Sequence, residues 1–533
     1  GTMLDQLVHA AVVAAATVAE DGIAEEGFPD EVQRPWLSPL PAVVALPALP
    51  RGMVGLVDDP DRQEQRAHRW APADGHLVLA GAFGSGTTTA LTTVAHALAA
   101  GCPPSALHLY ALDAGAGATE HGMLGDLCRL PHVGAVVGVA DETRRRRLLH
   151  RLDRILDERA AGAPPAPTVV LLVDGFTSLR STLLEAADGD ELAWLDRLVH
   201  DGPRHGVVIA ATIDQPSAAP ASLLARTAER WVFRLADPID ASLLGVAPST
   251  ALGTGTPPGR CIVSATGLEM QVAIRNHATD HNGGTEHVGG TDHNGGTEHD
   301  GGPDPIEGRP PMLGVAGIGA RPVRSVDGVW LPVGLADASA APVGLRLHPG
   351  EHAFVGGAPR SGRTNALAVI AAQWRIATPG GWVGVICPRP GSGPATASPV
   401  ALANRSGTVG GADEVLAALQ QLDADRAALL VVDDAELVAD DQGALAGLLA
   451  AGRPHLLVIA AGRPDVVRST YGHWTAAVRR SRKGVLLGAV HDLDGDVLGV
   501  LLPRRATTRP RPGDGLLVAD GTVTLMQLAM PCG

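Results

Sequence analysis

The chain has 533 residues, 45% of them hydrophobic, 19% charged and 3% aromatic, with a formal net charge of −15. That length accommodates several domains at roughly 100–200 residues each, with cores built from Val, Leu and Ala. The acidic balance argues against a DNA-coating surface, and no run of about 18 apolar residues marks a membrane span. Cys102, Cys128, Cys261, Cys387 and Cys532 form no C-x-x-C pair, which argues against a zinc site or disulfide framework.

Residues 1–50 read as a helix, "DQLVHAAVVAAATVAEDG", and an extended proline-rich lead-in, "RPWLSPLP". The opening "GTMLDQ" resembles a tag remnant, so a longer parent protein is expected, whose remainder could carry membrane helices. Residues 51–275 then follow the plan of a nucleotide-binding domain. "HLVLAGAFGSGTTTALTTVAHALA" reads as a buried strand, a glycine-rich turn and a helix, the layout of a phosphate-binding loop. Gly81, Gly84 and Gly86 shape the turn and Thr88 fills the magnesium-ligand position, but Thr87 stands where the loop lysine belongs. Lys483 is the one lysine of the chain, so no phosphate-loop lysine is available anywhere.

"ALHLYALDAG" continues as a strand and "DETRRRRLLHRLDRILDERA" as an amphipathic helix. Its run Arg144–Arg147, with acids nearby, reads as a solvated face with i,i+4 pairs. "PTVVLLVDGFTSL" is a buried strand ending in Asp174, placed as a Mg²⁺-directed Walker B acid. Gly175 follows it, so no second acid is seen to orient a water. Catalysis in this half is therefore not expected.

Residues 276–308 form a linker carrying four T-[DE]-H-x-G-G hexapeptides. Its histidines, His281, His287, His293 and His299, could bind a transition metal, but the composition reads first as a solvated spacer. Residues 309–533 then repeat the earlier landmarks in order. "HAFVGGAPRSGRTNALAVIAAQW" supplies Gly357, Gly362, Arg363 and Thr364. "RAALLVVDDAELV" supplies Asp433 for the metal and Asp434 as a water-orienting acid. Each half closes on a hairpin, "PPGRCIVSATGLEMQVAI" and "RPGDGLLVADGTVTLMQLA". Alternating strands and helices in duplicate predict an α/β protein with two tandem RecA-like P-loop NTPase domains, each a mainly parallel sheet flanked by helices. Arg363 keeps a positive charge, so ATP and Mg are expected preferentially in the second domain. "RRSRKG", Arg479 to Gly484, is a further compact basic cluster.

The combination of "RPWLSPLP", "GLVDDPDRQEQ", the first glycine-rich loop, "LYALDAGAG", "LPHVGAVVG" and "PPGRCIV" resembles the FtsK/SpoIIIE class of P-loop motor ATPases. Within that class it is most similar to the second and third ATPase domains of the EccC/EssC proteins of type VII secretion. The resemblance implies the cytoplasmic region of a membrane-anchored bacterial motor, with degenerate, regulatory domains that hydrolyse little or no ATP. It also implies a secreted helical substrate protein as partner, the remaining motor domains, and assembly into a hexamer. In such a ring Arg226 and Arg230 would be candidate arginine fingers. A DNA-translocating motor is the alternative; the acidic charge and the terminal hairpin, where a winged helix would be expected, speak against it. A pseudo-ATPase scaffold that binds no nucleotide is the further alternative.

Overall fold

The computed structural model describes residues 37–115, 124–185, 189–275, 301–310, 312–388, 399–407, 412–423, 425–470, 472–489, 492–502 and 513–531. The expected N-terminal helix and the four histidine repeats lie outside the described residues.

Two large sheets organise the molecule. The first contains β1 Gly55–Asp59, β2 Glu64–His68, β3 His76–Ala80, β4 Leu107–Asp113, β5 Val133–Gly138, β6 Thr168–Asp174, β7 Val207–Ile213, β8 Thr227–Phe233, β9 Arg260–Val263 and β10 Leu268–Val272. Their order is β2-β1-β10-β9-β8-β3-β7-β6-β4-β5, parallel from β8 to β5 and antiparallel through the closing hairpin. The second contains β11 Val323–Ser325, β12 Gly328–Ala336, β13 Pro342–Leu347, β14 Ala353–Gly357, β15 Trp382–Ile386, β16 Arg405–Gly407, β17 Ala428–Val432, β18 Leu456–Gly462, β19 Gly484–Leu487, β20 Asp514–Ala519 and β21 Thr522–Leu528. Its order, β11-β12-β21-β20-β19-β14-β18-β17-β15-β16, repeats the first from β1 to β5; β13, which follows and pairs β12, corresponds to β2, and β11 is an additional strand beside β12.

The central strands β3, β7, β14, β17 and β18 are buried along their whole length. Helices cover both faces of a parallel sheet, so its inner strands read as continuous apolar runs. The duplication extends to a histidine at the start of the loop strand. His76 Nδ1 accepts the Ile209 N–H at 2.9 Å, and His352 Nδ1 accepts that of Val458 at 3.3 Å. Burial disfavours the imidazolium and lowers both pKa values, that of His352 to about 4.

This gives a pH prediction with a definite sign. Below its ordinary pKa of about 6.5 the unfolded chain takes up the His352 proton while the folded chain refuses it. Stability is thus lost as pH falls from about 6.5 to about 4, by at most about 1.4 kcal/mol per pH unit from this group. Urea titrations across that window should show His352→Gln with a flatter pH dependence. An unchanged slope would refute the assignment.

The run Arg144–Arg147 is a correction. On helix Glu142–Ala160, Arg145, Arg146 and Arg147 are buried. Arg145 makes a bidentate pair with buried Glu191, at 2.7 and 3.1 Å. Arg146 pairs with Asp190 at 3.0 Å and lies 5.5 Å over the Trp194 ring. Arg147 donates to the carbonyls of Glu307, Gly308 and Asp337, and Arg144 Nε donates to that of Ile306. Helix Asp190–Asp201 and the segment 301–310 cover a face that local spacing assigns to solvent. "RRSRKG" is likewise partly committed, since Lys483 is buried and its Nζ meets Glu351 at 2.8 Å and Asp520 at 3.1 Å.

Candidate nucleotide sites

Each loop follows the first central strand of its sheet and opens a 15-residue helix, Thr87–Gly101 or Arg363–Ala377. Gly86 and Gly362 cap these helices at φ +97° and +100°, a left-handed conformation that favours glycine. A Cβ on Gly86 would also lie 2.7 Å from the backbone nitrogen of Gly259, in the closing "PPGR" turn. Gly81 and Gly357 admit no side chain either, since a Cβ would lie 2.4 or 2.3 Å from Ser85 Oγ or Ser361 Oγ. Those two buried hydroxyls have no hydrogen-bond partner among the described residues.

In the first half the metal-directed residues come together. Thr88 Oγ1 donates to the Asp174 carboxylate at 3.0 Å, and Thr212 Oγ1, at the end of β7, donates to it at 2.6 Å. No acid follows Asp174 in sequence, but the sheet brings one beside it. Asp113 ends β4 in direct register with Asp174, and its carboxyl receives the Gly115 N–H at 3.2 Å. Burial raises the Asp113 pKa, with the Asp174 charge adding to the shift. Thr87 opens the helix without a charge, as its sequence requires.

In the second half Thr364 Oγ1 donates to Asp433 Oδ2 at 2.7 Å. Asp433 is buried, which raises its pKa, and its Oδ1 receives the Asp434 N–H at 2.9 Å. Asp434 is held at φ +42°, unusual for a residue with a Cβ. Arg363 is not free for a phosphate. Its Nη2 pairs with Asp434 at 2.6 Å and its Nη1 with Glu436 at 3.4 Å, and Glu436 also accepts the Arg463 N–H. Registers align Thr212 with Ala461, and Cys387 follows β15 where Asp113 ends β4. The two sites thus keep different parts of one machinery.

Arg226 is exposed beyond helix Ala221–Ala225, at the β8 end opposite the loop. Arg230 lies within β8 and donates to the carbonyls of Leu224 and Leu244. Neither reaches a loop of its own chain. Sequence reasoning missed Asp113, Thr212 and Glu436. Strand-end position in "LYALDAG" and "VIAATIDQP" was the available signal for the first two.

Beside the first loop helix lies a cavity of about 510 Å³, walled by Thr89, Thr92, His96, Pro257, Pro258 and Ile274. Among the described residues no helix is long and apolar enough to cross a membrane.

Residues 49–273 match the family model described as the FtsK/SpoIIIE family. The ESX secretion system protein EccC of Geobacillus thermodenitrificans is 23% identical over 377 residues, covering 66% of this chain and 24% of that protein. ESX-4 secretion system protein EccC4 of Mycobacterium tuberculosis is 29% identical over 240 residues, covering 39% and 19%. The chain therefore spans a quarter or less of the length of these curated relatives. Among solved structures, ATPases 2 and 3 of Thermomonospora curvata EccC, in complex with a signal sequence peptide, superpose with TM-score 0.65 at 21% identity, covering 91% of this chain and 94% of that one. ATPases 2 and 3 of EssC from G. thermodenitrificans give 0.65 at 19%, covering 93% and 100%. The fold is that of these tandem ATPase domains.

Proposed function

From the FtsK/SpoIIIE domain at residues 49–273, we propose that this chain is the regulatory, weakly or non-hydrolytic ATP-binding module of a membrane-coupled type VII secretion-like motor. The observation that carries the reading is the duplicated hydroxyl–carboxylate pair, Thr88–Asp174 and Thr364–Asp433, beneath two loops that both lack lysine. When bound, Mg²⁺ would be held by those residues and would neutralise phosphate charge. Loop amides and the helix N-terminus would receive the phosphates.

ATP binding is preferred in the second half, where Gly357, Gly362, Thr364 and Asp433 are joined by Arg363. Binding there requires Arg363 to exchange its carboxylates for phosphate oxygens. Charge-assisted pairs of this kind are strong, so Arg363→Ala is expected to weaken Mg·ATP binding about tenfold. Calorimetric titration of Mg·ATP into the chain tests this, and an unchanged affinity would remove Arg363 from the site.

The partner is a secreted helical protein together with the rest of the motor. A relative with this fold was solved with a signal sequence peptide, and the cavity beside the first loop helix offers an apolar receptacle next to a nucleotide site. Arg226 is exposed and so free to act across a subunit boundary if the motor closes into a ring.

A further inference from the structure

The first loop lacks a cation at the helix start, yet its surroundings are those of a phosphate site. Asp174 is gripped by Thr88 and Thr212, with Asp113 beside it. Ser85 is 4% exposed, and its hydroxyl, inside the arc of the loop, has no partner among the described residues. A buried hydroxyl without a partner is costly and calls for an acceptor from outside the chain.

One cation is joined to this loop by the backbone. Arg234 follows β8, and its carbonyl accepts the N–H of Ala82, the second residue of the loop, at 2.8 Å. It is half-buried, and no hydrogen bond or ion pair is found for its guanidinium among the described residues. The duplicated fold shows what the second half carries at this place. Registers pair Ala80 with Val232 and Gly356 with Leu486, so Arg234 corresponds to Gly488. Gly488 has φ +59°, a backbone conformation that Arg234 does not share, and carries no side chain. Where the first half keeps an arginine joined to the loop through its backbone and a threonine in the loop, the second keeps a glycine and Arg363.

We propose that Arg234 is the phosphate-binding cation of the first loop, replacing from the neighbouring strand the charge that Thr87 lacks, so that the first half also binds the polyphosphate of Mg·ATP. The inference rests on the nucleotide reading above and extends it to the half whose loop sequence looks empty. An arginine suits this position because its long planar fork reaches phosphate oxygens from outside the loop and bonds them bidentately.

The test is photolabelling of the full chain with Mg·8-azido-ATP, followed by peptide mapping to assign label to residues 49–275 or 309–533. Label is expected in the first half of the wild-type chain, and half-saturation should rise at least tenfold in Arg234→Ala. Adding Thr87→Lys to that variant should restore labelling, since a charge inside the loop replaces one beside it. Lysine at 87 would not repair a merely structural defect. First-half labelling unaffected by Arg234→Ala, or not restored by Thr87→Lys, would overturn the inference. Label confined to the second half would overturn it too, while leaving the nucleotide reading standing. Absence of label from both halves would remove both.

Discussion

Glu436→Gln is expected to raise the affinity of the second site for Mg·ATP by about 10- to 100-fold, roughly 1.4–2.7 kcal/mol. Two carboxylates now occupy Arg363, Asp434 at 2.6 Å and Glu436 at 3.4 Å. Incoming phosphate must compete with both and suffers their repulsion as well. At an effective dielectric of about 20, one unit charge at about 5 Å contributes on the order of 3 kcal/mol, so neutralising one acid is enough for the expected gain. Glutamine keeps the shape and can still accept the Arg463 N–H, which limits structural damage. Equal or weaker binding in calorimetric titration would show that the acids do not restrain the site.

Arg145→Ala should destabilise the first half by about 3–5 kcal/mol, the usual cost of stranding one member of a buried ion pair. Glu191 is 2% exposed and has both oxygens engaged by the Arg145 guanidinium. With arginine gone, an uncompensated carboxylate remains between helix Glu142–Ala160 and helix Asp190–Asp201. Replacing both partners, as Arg145→Met with Glu191→Leu, should recover most of the loss because no buried charge is then left. Urea denaturation followed by far-UV circular dichroism separates the two variants. A double variant as unstable as the single one would contradict the assignment.

Local sequence carried a great deal of this architecture. Strand, glycine turn and helix are contiguous in the chain, so both loops, both strand-end acids and both closing hairpins were legible, and the duplication followed from their order. What escaped was non-local. Asp113 meets Asp174 only because β4 and β6 pair in register, 61 positions apart in sequence order. Thr212 reaches the same carboxylate from β7. Glu436 sits two residues past an obvious acid, but its role depends on where the Arg363 side chain turns. The arginine run failed for the same reason. Helical spacing locates a face correctly and says nothing of a second helix or a returning segment laid over it.

The grip of Arg147 has a consequence for sequence drift. All three of its acceptors, on Glu307, Gly308 and Asp337, are main-chain carbonyls, which every residue type provides. The receiving side can therefore change its side chains freely without loosening the joint. The giving side cannot, because only a guanidinium offers enough donors, spread widely enough, to hold three carbonyls at once. Tolerance to mutation across this seam is one-sided, concentrated on the strap and almost absent at one arginine.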